Sequence, residues 1–319
     1  MKHHASTPVS GLFISLIALT SSCTSTRNYS KFAEAGSAYS AVVASLADKA
    51  SVLQVDGTSY ELLAKRAELM GSGGGSERRN PQNDKGKPEK EGRSKRLGQM
   101  LIQANEKDVA AIHRNRLAKA VASDLKEYFD ALGALASSDA PAGIGKKAGD
   151  IITRLNDDIR RADPVIPVSS SGMISPLVNH MTEAMLRDEL QQRKQTIEGA
   201  LEVFRLLNMQ IETDIAGHAS ENDRGFRQML ITEPFINGGS QAIREPADIS
   251  SWIQYRQSSL NGNSKAAEAD KIIDGSRKSY ASFRSALDRM TTGRQELSIE
   301  ELGHLFDEIV VFSKSVNSL

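Results

Sequence analysis

Apolar residues recur along most of this chain at steps of three and four, the spacing that places them on one face of an α-helix. Stripes of this kind cover residues 30–53, 58–70, 97–135, 144–159, 176–215, 249–260, 264–290 and 298–316. No stretch shows the sustained apolar and polar alternation of a half-buried strand. The pattern therefore predicts an all-α fold, an elongated antiparallel helical bundle with long, coiled-coil-like helices.

Turn and capping signals predict a helical hairpin near the start of the mature chain. Asp56-Gly57 is a turn signal, and Thr58 with Glu61 matches the capping box that begins many helices. Two helices joined so tightly are expected to be antiparallel neighbours. For residues 176–233, the pattern leaves open whether the chain forms one long helix or two.

Residues 71–96 interrupt the helical pattern. They contain no apolar residue: a Gly/Ser-rich stretch is followed, over residues 77–96, by eight basic and four acidic residues, a net charge of +4. Such a segment cannot bury a core, so we predict a disordered basic loop. It is either a solvated loop or a patch that binds anionic lipid. Residues 97–319 are predicted to form the helical-bundle body and to pack with residues 30–70 as one domain.

The first two dozen residues carry a targeting signal. Lys2 precedes an apolar run from Gly11 to Leu19. The run is shorter than the ~20 residues that span a bilayer, but it matches the apolar part of a secretory signal peptide. Ser21-Ser22-Cys23 follows and contains the only cysteine of the chain. This segment resembles the signal of bacterial lipoproteins, in which a lipidated cysteine becomes the first mature residue, although Thr20 stands where that family usually has Leu.

The resemblance implies a location and a membrane attachment. Residues 1–22 would be the lipoprotein signal peptide, and residues 23–70 the lipidated N-terminus and first helical hairpin. Cys23 would carry the acyl chains that hold the protein on the membrane. Thr24, rather than Asp, follows the cysteine, which implies the outer membrane, facing the periplasm. The alternatives are an ordinary cleaved signal or an N-terminal helix with an incidental cysteine.

The overall charge gives no electrostatic reason to expect nucleic acid as a partner. Lys and Arg number 40, as do Asp and Glu, so the formal net charge is zero. A neutral chain has no global field that attracts an acidic partner. We therefore expect the partners to be the membrane, through Cys23, and an envelope protein of unknown identity.

No motif for catalysis, a metal or a cofactor stands out. Glu301-x-x-His304 is half of a di-iron signature, but that site needs a second such pair. Ser298 with Glu301 matches a capping box, which explains the glutamate without a metal. Asp214 and His218 are spaced to pair on one helix face, as ordinary surface residues do. We therefore predict no cofactor, metal or catalytic residue.

Four residues are candidates for contact with a partner. Arg193 and Lys194 interrupt an apolar stripe, where long basic side chains lie along a packing edge or form a polar contact site. Trp252 and Tyr255 belong to types that interfaces favour. Trp252 also falls on one face with Ile249 and Ile253, which indicates a core position instead.

The leading functional hypothesis is a lipid-anchored envelope protein that acts by contact, as a helical scaffold or adaptor. The alternative is an envelope enzyme, or a regulator of a cell-wall enzyme, whose site is assembled from residues distant in sequence. A third hypothesis is a helical binder of a small apolar ligand.

Overall fold

Seven α-helices and no strand make up the part of the chain that the computed structural model describes. That part comprises residues 13–71, 87–137, 143–168, 181–226, 231–232, 235, 246–260, 265–292 and 297–318. The helices are α1 (Phe13–Gly71), α2 (Lys87–Ala136), α3 (Ile144–Ala162), α4 (Glu183–Phe226), α5 (Pro246–Leu260), α6 (Lys265–Thr292) and α7 (Ile299–Ser318). The predicted all-α bundle is confirmed.

The helical hairpin predicted within residues 23–70 is wrong, because α1 continues through Asp56 and Gly57 without a turn. Thr58 does not cap a new helix: it is buried, and its hydroxyl lies 2.7 Å from Oδ2 of Asp108 on α2, to which it donates. A glycine inside a helix costs about 1 kcal/mol relative to alanine. Burial of Thr58 and its hydrogen bond to a carboxylate outweigh that cost.

The prediction of a disordered basic loop over residues 71–96 is wrong at both ends of that range. Gly71 is the last residue of α1, and α2 already begins at Lys87, ten residues before the apolar stripe at Leu97. The first turn of a helix tolerates Pro88, and Lys, Glu and Arg have high helix propensity. Residues 72–86 lie outside the described part of the chain.

Helix α4 is one helix as far as Phe226, so the question left open for residues 176–233 is answered over that stretch. It passes Gly217 and Gly225 without a break in the helix. It begins at Glu183, later than the predicted start at Pro176, and residues 176–180 are not described. Thr182 precedes it, and its Oγ1 accepts a hydrogen bond from the Met185 amide at 3.4 Å.

The capping box at the start of α7 is confirmed. The Ser298 amide donates to Oε2 of Glu301 at 2.8 Å, and the Glu301 amide donates to Oγ of Ser298 at 3.1 Å. The Glu301 carboxylate also accepts from both terminal nitrogens of Arg289, at 2.7 and 3.1 Å. Helix α3 covers the stripe predicted over residues 144–159 and stops at Ala162, before Asp163-Pro164.

The described chain divides into two compact units. The first takes the residues up to Ala44 together with Ala120–Phe204 and Lys278–Val311. The second takes Ser45–Lys119, Arg205–Arg277 and Phe312–Leu319. Each unit thus combines part of residues 30–70 with parts of residues 97–319.

An aromatic cluster forms the core of the first unit. The Phe283 ring stacks on those of Phe32 and Tyr39, with centroids 5.3 and 5.2 Å apart. Phe129 meets Phe283 edge to face at 5.5 Å, an arrangement that aromatic quadrupoles favour. All four rings are fully buried. The cluster joins α1, α2 and α6.

Polar contacts join α1 to α2 in the second unit. Gln54 donates to Asp108 at 3.1 Å beside the Thr58 contact. Asn115 donates to Oγ of Ser51 at 3.2 Å. In these contacts the residue number on α1 decreases as the residue number on α2 increases, so the two helices are antiparallel, as predicted.

We expect Gly36→Ala to destabilise the first unit. A Cβ at Gly36 would lie 2.6 Å from ring carbons of Phe129, whose ring is locked in the aromatic cluster. Overpacking of this kind costs about 1–3 kcal/mol. Urea unfolding followed by circular dichroism would measure the loss.

Gly149→Ala on α3 is the matched control, because nothing lies within 4 Å of its Cβ position. It should stabilise the helix by up to about 1 kcal/mol. Equal effects of the two substitutions would contradict the close approach of α1 to Phe129.

At acid pH, ionisation of the Glu301 carboxylate should make the free energy of unfolding depend on pH. Its hydrogen bonds from Arg289 and from the Ser298 amide lower the pKa of Glu301 from 4.5 to about 2. The ionised form is therefore favoured by folding, so its contribution is present above pH 4.5 and is lost as the pH falls toward 2.

Glu301→Gln keeps a residue that can complete the capping box but cannot ionise. Its stability should change less than that of the native chain between pH 4.5 and 2. Acid unfolding curves that superimpose would show that the pKa of Glu301 is not lowered by folding.

Candidate functional site

Arg193 lies in the interior of the first unit, with 1% of its side chain exposed. Its Nε donates to Oε1 of Glu189, one turn earlier on α4, at 3.0 Å, and Glu189 is 4% exposed. The prediction that Arg193 lies along a packing edge or at a polar contact site is therefore wrong. A carboxylate four residues earlier on the same face was the available signal, since it pairs with the guanidinium and allows its burial.

Tyr128 from α2 faces this ion pair. Burial is the main cause that raises the pKa of Glu189, and the nearby guanidinium opposes the rise. Burial also raises the pKa of Tyr128, with smaller effects of Glu189 and Arg193 in opposite directions. Among the described residues, the Tyr128 hydroxyl has no hydrogen-bond partner. The three side chains thus form a polar cluster inside an apolar core.

A buried hydrogen bond lies next to this polar cluster, further along α4. The Thr196 hydroxyl donates to Oδ1 of Asn156 on α3 at 2.9 Å, and both side chains are buried. Glu189, Arg193 and Thr196 follow one another at steps of four and three, so they form a polar seam on the buried face of α4. A carboxylate closed off from solvent is poorly placed for acid–base catalysis on an external substrate. The seam is suited to fixing the register of α4 against its neighbours.

Lys194 is paired within the first unit. Its Nζ lies 2.6 Å from Oδ1 of Asp288 on α6 and 3.8 Å from Oε1 of Glu198. The side chain is partly exposed. A role for Lys194 in partner contact stays a prediction.

Trp252 is half-buried on α5, in the second unit. Its indole N–H donates to the Ile231 carbonyl at 3.0 Å. The ring stacks on Phe235 with centroids 5.6 Å apart, and the Arg256 guanidinium lies 5.8 Å from the ring centre. The shared core face predicted with Ile249 and Ile253 is wrong, because both isoleucines are exposed.

Exposed apolar side chains are concentrated in the second unit. Among the described residues, fourteen large apolar side chains are exposed, and only Val165 and Val311 belong to the first unit. The other twelve are Val52, Val55, Leu63, Leu101, Ile102, Val109, Leu206, Met209, Phe235, Ile249, Ile253 and Tyr255. Tyr255, a predicted contact residue, is thus one of a larger set that the sequence did not single out.

Cys23 lies within α1, and its side chain is outside those described. Six residues later, Tyr29 is buried and its hydroxyl donates to the Met290 carbonyl at 3.2 Å. Asn28 donates to the Leu297 carbonyl at 3.0 Å. The chain is therefore bound to the first unit within a few residues of Cys23. No described helix has the length and apolar character needed to cross a membrane.

The candidate metal residues with described side chains are Glu301 and His304. No three described His, Cys, Asp or Glu side chains form a group that could hold a metal ion. His304 is exposed on α7, and Glu301 is occupied by its cap and by Arg289. The side chains of Asp214 and His218 lie outside the described set.

Comparison with known proteins gave no significant match to a family model, a curated protein or a solved structure.

We expect Arg193→Met to destabilise the first unit by about 3–5 kcal/mol, because Glu189 would remain buried without its partner. Replacing the pair together, as Glu189→Leu with Arg193→Met, should be nearly neutral or stabilising. Urea unfolding at neutral pH would measure both free energies.

Lys194→Met tests the neighbouring position, where the ion pair is partly exposed and worth less than about 1 kcal/mol. If Arg193→Met lowered the free energy of unfolding no more than Lys194→Met does, the buried ion pair would not be a determinant of stability.

Proposed function

We propose that this protein is a lipid-anchored envelope protein and acts as a helical scaffold or adaptor, through contact between its second unit and another envelope protein. The observation that carries the proposal is the concentration of exposed apolar side chains in that unit. Exposed apolar side chains that are concentrated in one part of a molecule are candidates for a contact surface.

The spacing of these side chains supports a helical mode of contact. Ile102 and Val109 are seven residues apart on α2 and are 59% and 67% exposed, so both lie on one exposed face of this helix, which also carries Asn105 and Glu106. Val52 and Val55 on α1 are three apart, as are Leu206 and Met209 on α4. Side chains at these steps are the anchors by which helices pack against a partner helix or groove.

The lipoprotein-like signal supports the location. With Cys23 lipidated, two or more acyl chains would make attachment stable. The buried Tyr29 follows Cys23 by only six positions, and six residues reach roughly 20 Å even when fully extended. The end of the first unit that holds Tyr29 would therefore lie beside the bilayer. Thr24 after the cysteine favours the outer membrane.

Site-specific crosslinking in cells would test the contact. A photoreactive residue at Ile102 or Val109 should capture one reproducible envelope protein, because both side chains are exposed on the same face of α2. Lys107, exposed on another side of the same helix, is the matched control and should give little of that adduct. The proposal would be contradicted if Lys107 gave the same adduct yield as Ile102 and Val109, or if neither of those two positions gave a reproducible adduct.

Mass spectrometry of the mature N-terminus would test the anchor separately. We expect an acylated Cys23 as residue one, and release of Cys23→Ser from the membrane fraction. An unmodified Cys23, or cleavage elsewhere, would remove the lipoprotein part and leave the contact surface to be judged by crosslinking.

A further inference from the structure

Three hydrogen bonds fix the start of the mature part of α1 to other helices of the first unit. The Tyr29 hydroxyl donates to the Met290 carbonyl at 3.2 Å, and the Asn28 side chain donates to the Leu297 carbonyl at 3.0 Å. Nε of Arg187, near the start of α4, donates to the Tyr29 hydroxyl at 3.4 Å. Met290 lies in the last turn of α6, and Leu297 precedes α7. We call these contacts the N-terminal clamp.

The connection between Cys23 and the N-terminal clamp is short and helical. Helix α1 includes Cys23, and no Gly or Pro lies between Cys23 and Tyr29. At 1.5 Å per residue, the six positions from Cys23 to Tyr29 rise about 9 Å along the helix.

The residues of α1 before Tyr29 extend past the end of α6. Tyr29 contacts Met290, whereas Tyr39, further along α1, stacks on Phe283, so α1 and α6 are antiparallel. Helix α6 ends two residues after Met290. The direction from Tyr29 to Cys23 therefore leads away from the core of the first unit.

We propose that the end of the first unit at the N-terminal clamp faces the phospholipid headgroups of a bilayer, with α1 and α6 running away from the membrane within this unit. The inference rests on the proposed lipidation of Cys23. The headgroup layer on each side of a bilayer is about 5–8 Å thick. A rise of about 9 Å from a lipidated Cys23 therefore places the N-terminal clamp at the outer edge of the headgroups.

The sides of the first unit offer little that would hold them on a bilayer instead. Among the described side chains of this unit, only two large apolar ones are exposed, Val165 after α3 and Val311 on α7. Membrane binding by a protein surface depends on the apolar area that it buries. Attachment through the lipidated end of α1 is therefore expected to set which surface of the unit faces the lipid.

Three positions on α6 form a ruler for this orientation. Lys278, Ser285 and Thr292 are all exposed and follow one another at seven-residue steps, so they share one face of the helix. Each step rises about 10 Å. Cys23 is the only cysteine of the chain, and once it carries its lipid it has no free thiol. A cysteine introduced at each position in turn can therefore be labelled alone.

Energy transfer would measure the distance of each label from the membrane. The full acylated chain would be placed on phosphatidylcholine vesicles that carry an acceptor dye on a headgroup. We expect the distance to be shortest for Thr292→Cys and to rise by about 10 Å at Ser285→Cys and by a further 10 Å or so at Lys278→Cys.

A flexible insertion tests whether the short connection causes this orientation. Twelve Gly/Ser residues inserted after Thr24 leave the N-terminal clamp intact and add a coil that spans about 20 Å. This variant should still float with the vesicles, but the differences among the three labels should disappear. The same twelve residues added after Leu319 are the matched control and should leave the differences unchanged.

Equal distances for the three labels on the native chain would overturn the proposal, as would differences that persist with the insertion after Thr24. In both cases an acylated chain that floats with the vesicles would leave the proposed anchor standing. An unmodified Cys23 and a chain that does not float would overturn the anchor and this orientation together.

Discussion

The packing of α1 against α2 is the constraint on which both units depend. In the first unit the two helices approach so closely that Gly36 has no room for a methyl group beside the Phe129 ring. In the second unit Thr58 and Asp108 join them through a buried hydrogen bond. Thr58 directly follows Asp56-Gly57, so a turn there would break the contact with Asp108 in the second unit. Tertiary contact therefore decides the local conformation of α1 there.

The two units differ in the kinds of side chain that they bury and expose. The first combines stacked aromatic rings with a buried ion pair on α4, Glu189 with Arg193. Aromatic rings supply apolar area, whereas a buried ion pair contributes little net stability but penalises any register that separates the two charges. The second unit leaves many aliphatic side chains exposed, which is expected of a surface that another molecule covers. The first unit thus buries most of its large apolar side chains, whereas the second leaves twelve of those described exposed.

Location and contact are separate physical properties of this chain. If Cys23 is lipidated as proposed, the N-terminal segment determines where the chain is held, because acyl chains attach to a membrane without a folded partner. The exposed apolar surfaces bear on what it touches, and they exist only because the helices are folded. The exposed large apolar side chains described on α1, α2 and α4 are aliphatic or Met.

Hydrophobic periodicity was sufficient to predict the all-α fold and the position of α3, and the Ser298/Glu301 capping box was sufficient to predict the start of α7, because these depend on residues near in sequence. The signal-like segment at Cys23 was also visible locally. Only the tertiary structure decided that α1 is continuous, that Arg193 is buried, and that Ile249 and Ile253 are exposed. The continuity of α1 depends on Asp108, which contacts Thr58. The burial of Arg193 depends on the core that surrounds the Glu189–Arg193 pair. Ile249 and Ile253 are exposed because no described helix covers them. Periodicity identifies an apolar face, but it cannot tell whether that face is covered by the chain itself.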